Sequence, residues 1–469
     1  MTQEEFSGGQ VYSPARNRLI YLLAQTPEGS SGVHACDSSG EIILISAADK
    51  SVLDVPLAPS FRKFLREGQG FALAERAGVH WRSAAVAQFT NGTAKLDSKK
   101  LCHQLAGVLH AFWDGPSDAH LIVLLFILSS YVYSIAETVA YLHLFGPPAS
   151  GKTQLAKLLK RLCFGAWHAG RASVASIYRL LEFCRGVPIL DESDYRRPEW
   201  VQILRAGYQR GAGVYLCEAN QLPVEKPCFA PKVVITNLPI GDEALTSRMI
   251  PIRCEPTTRD VESFRSAAAE LVFADLRDAL HLFGMIYAEE ICEAYQHLPK
   301  MDSVSPRDEE LSALMAAVAL VIDERLGEDL ALHARLVEYM QRLSHRRRED
   351  RAAESEECVL ARLVIEFTCE DKAAVDEYAA PKMYLAERFA AFLNQTGVLG
   401  SRLRPKDVGQ KLNHCGLILG RKVVDVPVDQ DEERMRGAIP LEELRIKRKQ
   451  RQAYVFDMER AERLAKEGR

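Results

Sequence analysis

The residues with the clearest chemistry lie in LHLFGPPASGKTQLAKLLKRL, residues 142 to 162. Gly146, Gly151, Lys152 and Thr153 fit the spacing G-x-x-x-x-G-K-[ST], set between an apolar strand-like run and a lysine-rich helical one. Glycines there let successive backbone amides turn inward on phosphate oxygens, and a helix start adds the positive end of its dipole. The loop Gly146, Pro147, Pro148, Ala149, Ser150 and Gly151, with Lys152, Thr153 and Gln154 opening the helix, is therefore expected to cradle the phosphates of ATP. Lys152 would reach the β and γ phosphates, and the Thr153 hydroxyl would hold Mg²⁺. The bland alternative is an ordinary Gly-Pro corner, which leaves the strand before and the helix after it unexplained.

Thirty-nine residues beyond Lys152, the apolar run GVPIL ends in Asp191 and Glu192. A carboxylate at a strand tip beside a phosphate cradle holds Mg²⁺ through its water shell, while the next one polarises an attacking water. Asp191 is thus expected in the metal shell and Glu192 as general base, with Asp194 a solvated first-turn or cap residue. The run APKVVITN carries Thr236 and Asn237 at its tip, where the Asn237 amide would orient the water; a turn-forming Asn before Leu-Pro is the alternative. In DEALTSRMIPIRC, Arg248 stands between a short helix and a strand. A guanidinium placed there would project toward the ATP of a neighbouring subunit and neutralise charge in the transition state, with Arg253 as substitute.

These elements need a parallel α/β sheet to hold them, and residues 139 to 256 supply alternating short apolar strands and helices. At 469 residues and 47% hydrophobic content the chain can bury a large core, and its net charge of −4 leaves any nucleic-acid surface to local clusters. Eleven cysteines without a C-x-x-C pair read as reduced, buried small hydrophobes of a cytoplasmic protein rather than as zinc ligands. LIVLLFILSSYVYSIA, 121 to 136, is shorter than the roughly 20 residues of a membrane helix and reads as a buried helix. No secretory signal opens the chain and no membrane association is expected.

GPPASGKT, ILDESD, VVITN and LTSR together resemble the AAA+ ATPase superfamily, and LTSR is similar to the arginine-finger element of minichromosome-maintenance helicases. The longer series SVASIYRLLE, ILRAGYQRGAGVYLCE, CFAPKVVITNLPIGDEALTSRMIPIRC and SPRDEELSALMAAVALVIDE resembles primase- or helicase-like ATPases of phages and integrative elements, over residues 120 to 345. The resemblance implies an AAA+ P-loop core with a helical lid, Mg²⁺ and ATP as cofactors, and a homohexameric ring. It also offers Arg307 as an arginine contacting the γ phosphate, although an ion-pair role within its own helix is equally open.

The expected organisation is a small β-containing region over 1–97, the ATPase core with a leading helical segment over 98–258, the lid over 259–345, a linker over 346–375 and a winged-helix-like domain over 376–469. Candidate DNA contacts are Lys226 and Arg210 on either side of a β-capable hairpin, which would serve a channel or else subunit packing. In the last domain Arg402, Arg404, Lys406 and Lys411 crowd a helix, and Arg445, Lys447, Arg448, Lys449 and Arg451 form an acid-free run. The expected function is an ATP-hydrolysing DNA-remodelling motor, a replicative helicase or initiator-like ATPase of a mobile element. Its alternatives are a helicase loader or regulatory ATPase, and an ATP-gated protein-interaction module in a defence assembly.

Overall fold

Turn-rich spacers between short β-branched and aromatic runs make the N-terminal region an antiparallel meander of β1 (Gln10–Ser13), β2 (Arg18–Leu22), β3 (Val33–Asp37) and β4 (Ile42–Ile45). A two-stranded pair, β5 (Ser51–Val52) and β6 (Val55–Pro56), and the helices α1 (Pro59–Arg66), α2 (Gly70–Ala77) and α3 (Ser83–Thr90) follow it. In this computed structural model the described residues are 5–25, 31–170, 173–191, 198–216, 224–257, 259–326, 330–354, 356–369, 382–396, 403–427 and 448–467. They fall into two compact units, Met1–Arg342 and Leu343–Arg469.

Within the first unit the meander is docked, not tethered. The Tyr21 hydroxyl donates to the Tyr131 carbonyl at 2.5 Å, the Gln10 amide to the Ser130 carbonyl at 2.8 Å, and Arg82 pairs with Asp275 at 2.6 Å. Helix α4 (Ser98–Phe112) starts where the Asp97 carboxylate accepts from the Lys100 amide. Helix α5 (Ser117–Ser130) holds the apolar run, and every residue from Leu121 to Ser130 is buried. Among the described residues no helix is long and apolar enough to cross a membrane.

The central sheet is built from β7 (Tyr141–Phe145), β8 (Trp167–Gly170), β9 (Pro188–Asp191), β12 (Lys232–Thr236) and β13 (Met249–Arg253), with α6 (Lys152–Leu162), α7 (Val174–Cys184), α8 (Pro198–Ala206) and α9 (Glu243–Thr246) in the connections. A separate antiparallel pair, β10 (Val214–Leu216) and β11 (Val224–Lys226), precedes β12. All five strands of the sheet are parallel, in the order β13-β7-β12-β9-β8. The chain leaves β7 for the far edge, returns through β9 and β12, and then crosses to the other side of β7. Such a reversal opens a crevice outside the carboxyl ends of the strands, beside β7.

At the opposite, amino-terminal end of this sheet lies Lys232, fully buried. Its Nζ donates to the carbonyls of Cys228, Ala230 and Gly207 at 2.7, 2.9 and 3.1 Å, which replace the water that the ammonium loses. Three long helices, α10 (Ala267–Gln296), α11 (Pro306–Leu326) and α12 (Leu332–Glu354), follow the sheet; α10 packs on α4, α6 and α11, and the division between the units falls within α12.

The second unit contains α13 (Glu356–Cys369), β14 (Tyr384–Leu385), α14 (Ala386–Thr396), α15 (Pro405–His414), β15 (Ile418–Pro427), β16 (Arg448–Phe456) and α16 (Met458–Glu467). Its antiparallel sheet has the order β14-β16-β15, and its core gathers Phe367, Phe389, Leu412, Tyr454 and Phe456. The cysteines Cys36, Cys102, Cys163, Cys228, Cys254, Cys292, Cys358, Cys369 and Cys415 are free, all but Cys369 buried.

Candidate nucleotide site

The run YLHLF ends β7, and the loop 146–151 turns directly into α6, as the motif requires. Two glycines are obligatory here for different reasons. Gly146 has φ 151°, and a Cβ on it would stand 2.1 Å from the Cys254 carbonyl oxygen; Gly151 has φ 83°, the left-handed region, immediately before the helix. Cys254 itself is tied to the loop's root, its amide donating to the Phe145 carbonyl at 2.8 Å. No side chain caps the start of α6, so its first amides face the loop without an internal acceptor. Lys152 is buried within that loop, its Nζ donating to the Gly146 and Pro147 carbonyls at 2.7 Å and to Ser150 Oγ at 3.3 Å. Thr153 is exposed on the first turn. Uncapped amides, an ammonium resting on loop carbonyls and an exposed hydroxyl form a donor set that fits a phosphate chain with its Mg²⁺.

Strand register sets the other candidates around this loop. Phe145 pairs with Thr236, which puts Asn237 at the strand tip adjacent to Gly146, where it is exposed. Val234 pairs with Leu190, so Asp191 ends the strand next to β12, two strand spacings or about 10 Å from β7. Asp191 lies 3.6 Å from His168 Nε2. Glu192 and Asp194 lie outside the described residues.

Arg248 is elsewhere. Its carbonyl accepts from the Tyr141 amide, at the start of β7, whereas the phosphate loop follows the end of that strand. The five residues of β7 separate the two by about 16 Å. The guanidinium carbon lies 4.8 Å from the centre of the Tyr208 ring, and that of Arg307 lies 4.6 Å from the same centre. Arg307 also donates to the Tyr208 hydroxyl at 2.9 Å and pairs with Glu310 at 3.0 Å. Burial, and then Arg307 beside it, push the Arg248 guanidinium below its ordinary pKa, and its buried Nε has no hydrogen-bond partner among the described residues. Of the two readings of Arg307, the ion pair within its own helix is the one formed here, with Glu310, and Arg307 shares Tyr208 with Arg248 at the end of the sheet away from the phosphate loop. Arg253 is exposed at the end of β13 and lies 3.2 Å from Glu255.

The proposed DNA contacts also look different in three dimensions. Arg210 is half-buried and donates to the Ala136 carbonyl at 2.7 Å and to the Ser134 carbonyl, clamping the segment before β7 rather than reaching outward. Lys226 lies 3.4 Å from Glu182 and is largely buried at the base of the β10–β11 pair, so it does not form a gripping tip. In the second unit Arg404 and Lys406 are exposed, Arg404 capping α15 through Asp407 at 2.9 Å, and Arg451 pairs with Glu387 at 2.7 Å. Lys411 sits partly exposed on α15, and Arg448 and Lys449 open β16. Arg402, Arg445 and Lys447 lie outside the described residues.

Two residues escaped the sequence reading. His143, in the middle of β7, is held by burial to a pKa of about 4 and meets Thr236 Oγ1 at 2.8 Å through Nε2. That hydrogen bond ties β7 to the residue before Asn237, and its one sequence signal is a polar position inside an apolar strand. His143→Leu is expected to lower turnover several-fold with nucleotide affinity unchanged, read as a kcat loss without a KM change. Because His143 stays neutral above about pH 4, replacing it should not remove any inflection of the wild-type rate profile between pH 5 and 8. Trp113 is the second: buried, its Nε1 without a partner among the described residues, it lies 3.6 Å from where a Gly151 Cβ would be.

The sheet and loop define a parallel α/β core with a phosphate-loop connection. No family model matches the chain, and no curated protein matches it. Among solved structures it is similar to the apo NrS-1 C-terminal region, with 14% identity over 77% of this chain and 76% of that one and a TM-score of 0.37. Inhibitor-bound JCV helicase is matched at 15% identity over 58% and 77%, with a TM-score of 0.25. The Aeropyrum pernix Orc1 protein in complex with DNA is matched at 14% over 83% and 97%, with a TM-score of 0.19. Resemblance at this level assigns nothing by itself, and the chemistry of the site carries the functional reading.

Proposed function

We propose that the chain is an AAA+ ATPase that hydrolyses ATP in a ring of identical subunits, a hexamer, and spends the energy on remodelling DNA, as a replicative helicase or initiator-like motor of a mobile element. The observation that supports this most is the separation of the phosphate loop from Arg248. A half-buried guanidinium that lies over Tyr208, faces a second guanidinium and has the Ala244 carbonyl as its one hydrogen-bond acceptor among the described residues gains from an anion brought to it, and its own nucleotide is out of reach. The γ phosphate of a neighbouring subunit meets that need.

In this reading Lys152 leaves the Gly146 and Pro147 carbonyls for the phosphates, while Thr153 and Asp191 hold Mg²⁺, which screens phosphate charge when bound. Glu192 takes the proton of the attacking water, Asn237 orients that water, and Arg248 arrives from the next subunit. The helices 259–345 act as the lid, and the second unit, whose helices and two-stranded ribbon suit a winged helix, presents Arg404, Lys406 and Lys411 to DNA phosphates. The soluble, cytoplasmic location belongs to the same proposal.

The loader or regulatory reading draws support from Lys226 and Arg210, whose engagement inside the fold deprives the hairpin base of free cations. A forked duplex with a single-stranded tail separates the two. A motor displaces the strand with Mg²⁺ and ATP, and a Glu192→Gln control does not; a loader hydrolyses ATP and displaces nothing.

A further inference from the structure

At the other end of α6 from the phosphate loop, a cavity of about 640 Å³ lies between the N-terminal region, the segment 160–167 and α10. Four cations line it, Arg76, Lys160, Arg161 and Arg277, against one carboxylate, Glu270, which is already paired with Arg161 at 2.9 Å. Two further groups in its wall lack partners among the described residues: Trp167 Nε1, and Nδ1 of His281, which is only 3% exposed. Basic residues at a helix C-terminus answer the helix dipole, which explains Lys160 and Arg161. Arg76 stands likewise in the last turn of α2, and Arg277 donates to the Arg161 carbonyl at 3.4 Å. Neither the dipoles nor that bond explains why three segments turn these cations onto one cavity with a single carboxylate, nor the unpartnered indole N–H.

We infer that this cavity is a second binding site, for the phosphate group of a nucleotide, either free or at the 5′ end of a nucleic-acid strand. Its volume is that of a small-ligand pocket. The unpaired cations take the phosphate oxygens, the Trp167 N–H supplies a neutral donor, and the buried rings of Phe164 and Tyr131 close the back wall. The eleven residues of α6 place it about 16 Å from the phosphate loop, so it is a separate site and does not rest on that loop's role.

The test uses the full chain and its Arg76→Glu/Lys160→Glu variant, both positions being exposed so that the fold is retained, which a thermal melt checks. Equilibrium dialysis with ADP and with a 5′-phosphorylated oligonucleotide should count one site fewer per chain in the variant, or a loss of at least ten-fold in affinity for that site. The part of the fluorescence response that the Arg76→Glu/Lys160→Glu variant loses should also be lost in Trp167→Phe, while a response from Trp113 beside the phosphate loop remains. Loss of the ADP site identifies a free nucleotide; loss of the oligonucleotide site alone identifies a strand end. If the phosphate-loop role fails instead, the wild type binds one nucleotide and the variant none. Equal stoichiometry and affinity in wild type and variant for both ligands, or a variant defect toward the oligonucleotide alone that persists without its 5′ phosphate, overturns the inference.

Discussion

Arg248→Ala is expected to reduce ATP turnover by roughly 10³-fold while leaving nucleotide affinity unchanged. The expectation follows from the proposed role and from the distance between Arg248 and its own phosphate loop: a side chain so placed would contribute nothing to binding in its own subunit and would act only on charge developing next door. Lys152→Ala should be equally inactive for the opposite reason, because its loop no longer holds the phosphates. Mixing the two dead variants gives the sharper result. An Arg248→Ala subunit keeps its phosphate loop, and a Lys152→Ala neighbour keeps its arginine, so mixed rings contain complete sites. Turnover well above the sum of the two variants is expected. Mixtures as inactive as their parts would mean that both residues serve one subunit, which the sheet geometry opposes.

The second large effect is on stability. Lys232→Met should leave the carbonyls of Cys228 and Ala230 without their Lys232 donor, while the Gly207 carbonyl still accepts from the Ala230 amide. At about 1–3 kcal/mol for each of these two buried acceptors the variant loses at least about 2 kcal/mol, visible as a lower melting temperature of the first unit. The pH dependence carries a definite sign. Burial holds the folded Lys232 at about 7, down from 10.5, so between those values the unfolded chain binds more protons. The stability contributed by this group therefore rises with pH across that window, and the gap between wild type and variant should widen from pH 7 to pH 10. A gap that narrows would show that the carbonyl cage holds the proton more tightly than burial expels it.

The phosphate loop, the strand carrying Asp191 and the tip carrying Asn237 were legible in the sequence because each depends on a local pattern, an apolar strand followed by a chemically specific tip. The parallel sheet then brings those tips to one edge. What the sequence concealed depends on contacts between distant segments. Arg307 was open to a phosphate contact or an ion pair within its helix; Glu310 makes that pair, but its other partner, Tyr208, lies 99 residues away and no local pattern shows it. Lys226 and Arg210 looked like free cations because charge is visible in a sequence and burial is not. Glu182 and the carbonyls of Ser134 and Ala136, which engage them, come from other elements of the fold. His143 was overlooked for the converse reason, since a histidine inside YLHLF reads as core until its hydrogen bond to Thr236 is seen. The N-terminal region was legible as β structure but not as part of the first unit, because Tyr21, Gln10 and Arg82 find partners more than a hundred residues on.

The most direct test of the central claim is steady-state ATP hydrolysis by the full chain at a series of protein concentrations, with no DNA, with single-stranded DNA and with duplex. The proposed motor predicts turnover that rises cooperatively with protein concentration, as Arg248 requires a neighbour, and rises several-fold further with DNA. Specific activity independent of concentration and indifferent to every DNA would contradict it, leaving a nucleotide switch that acts on protein partners.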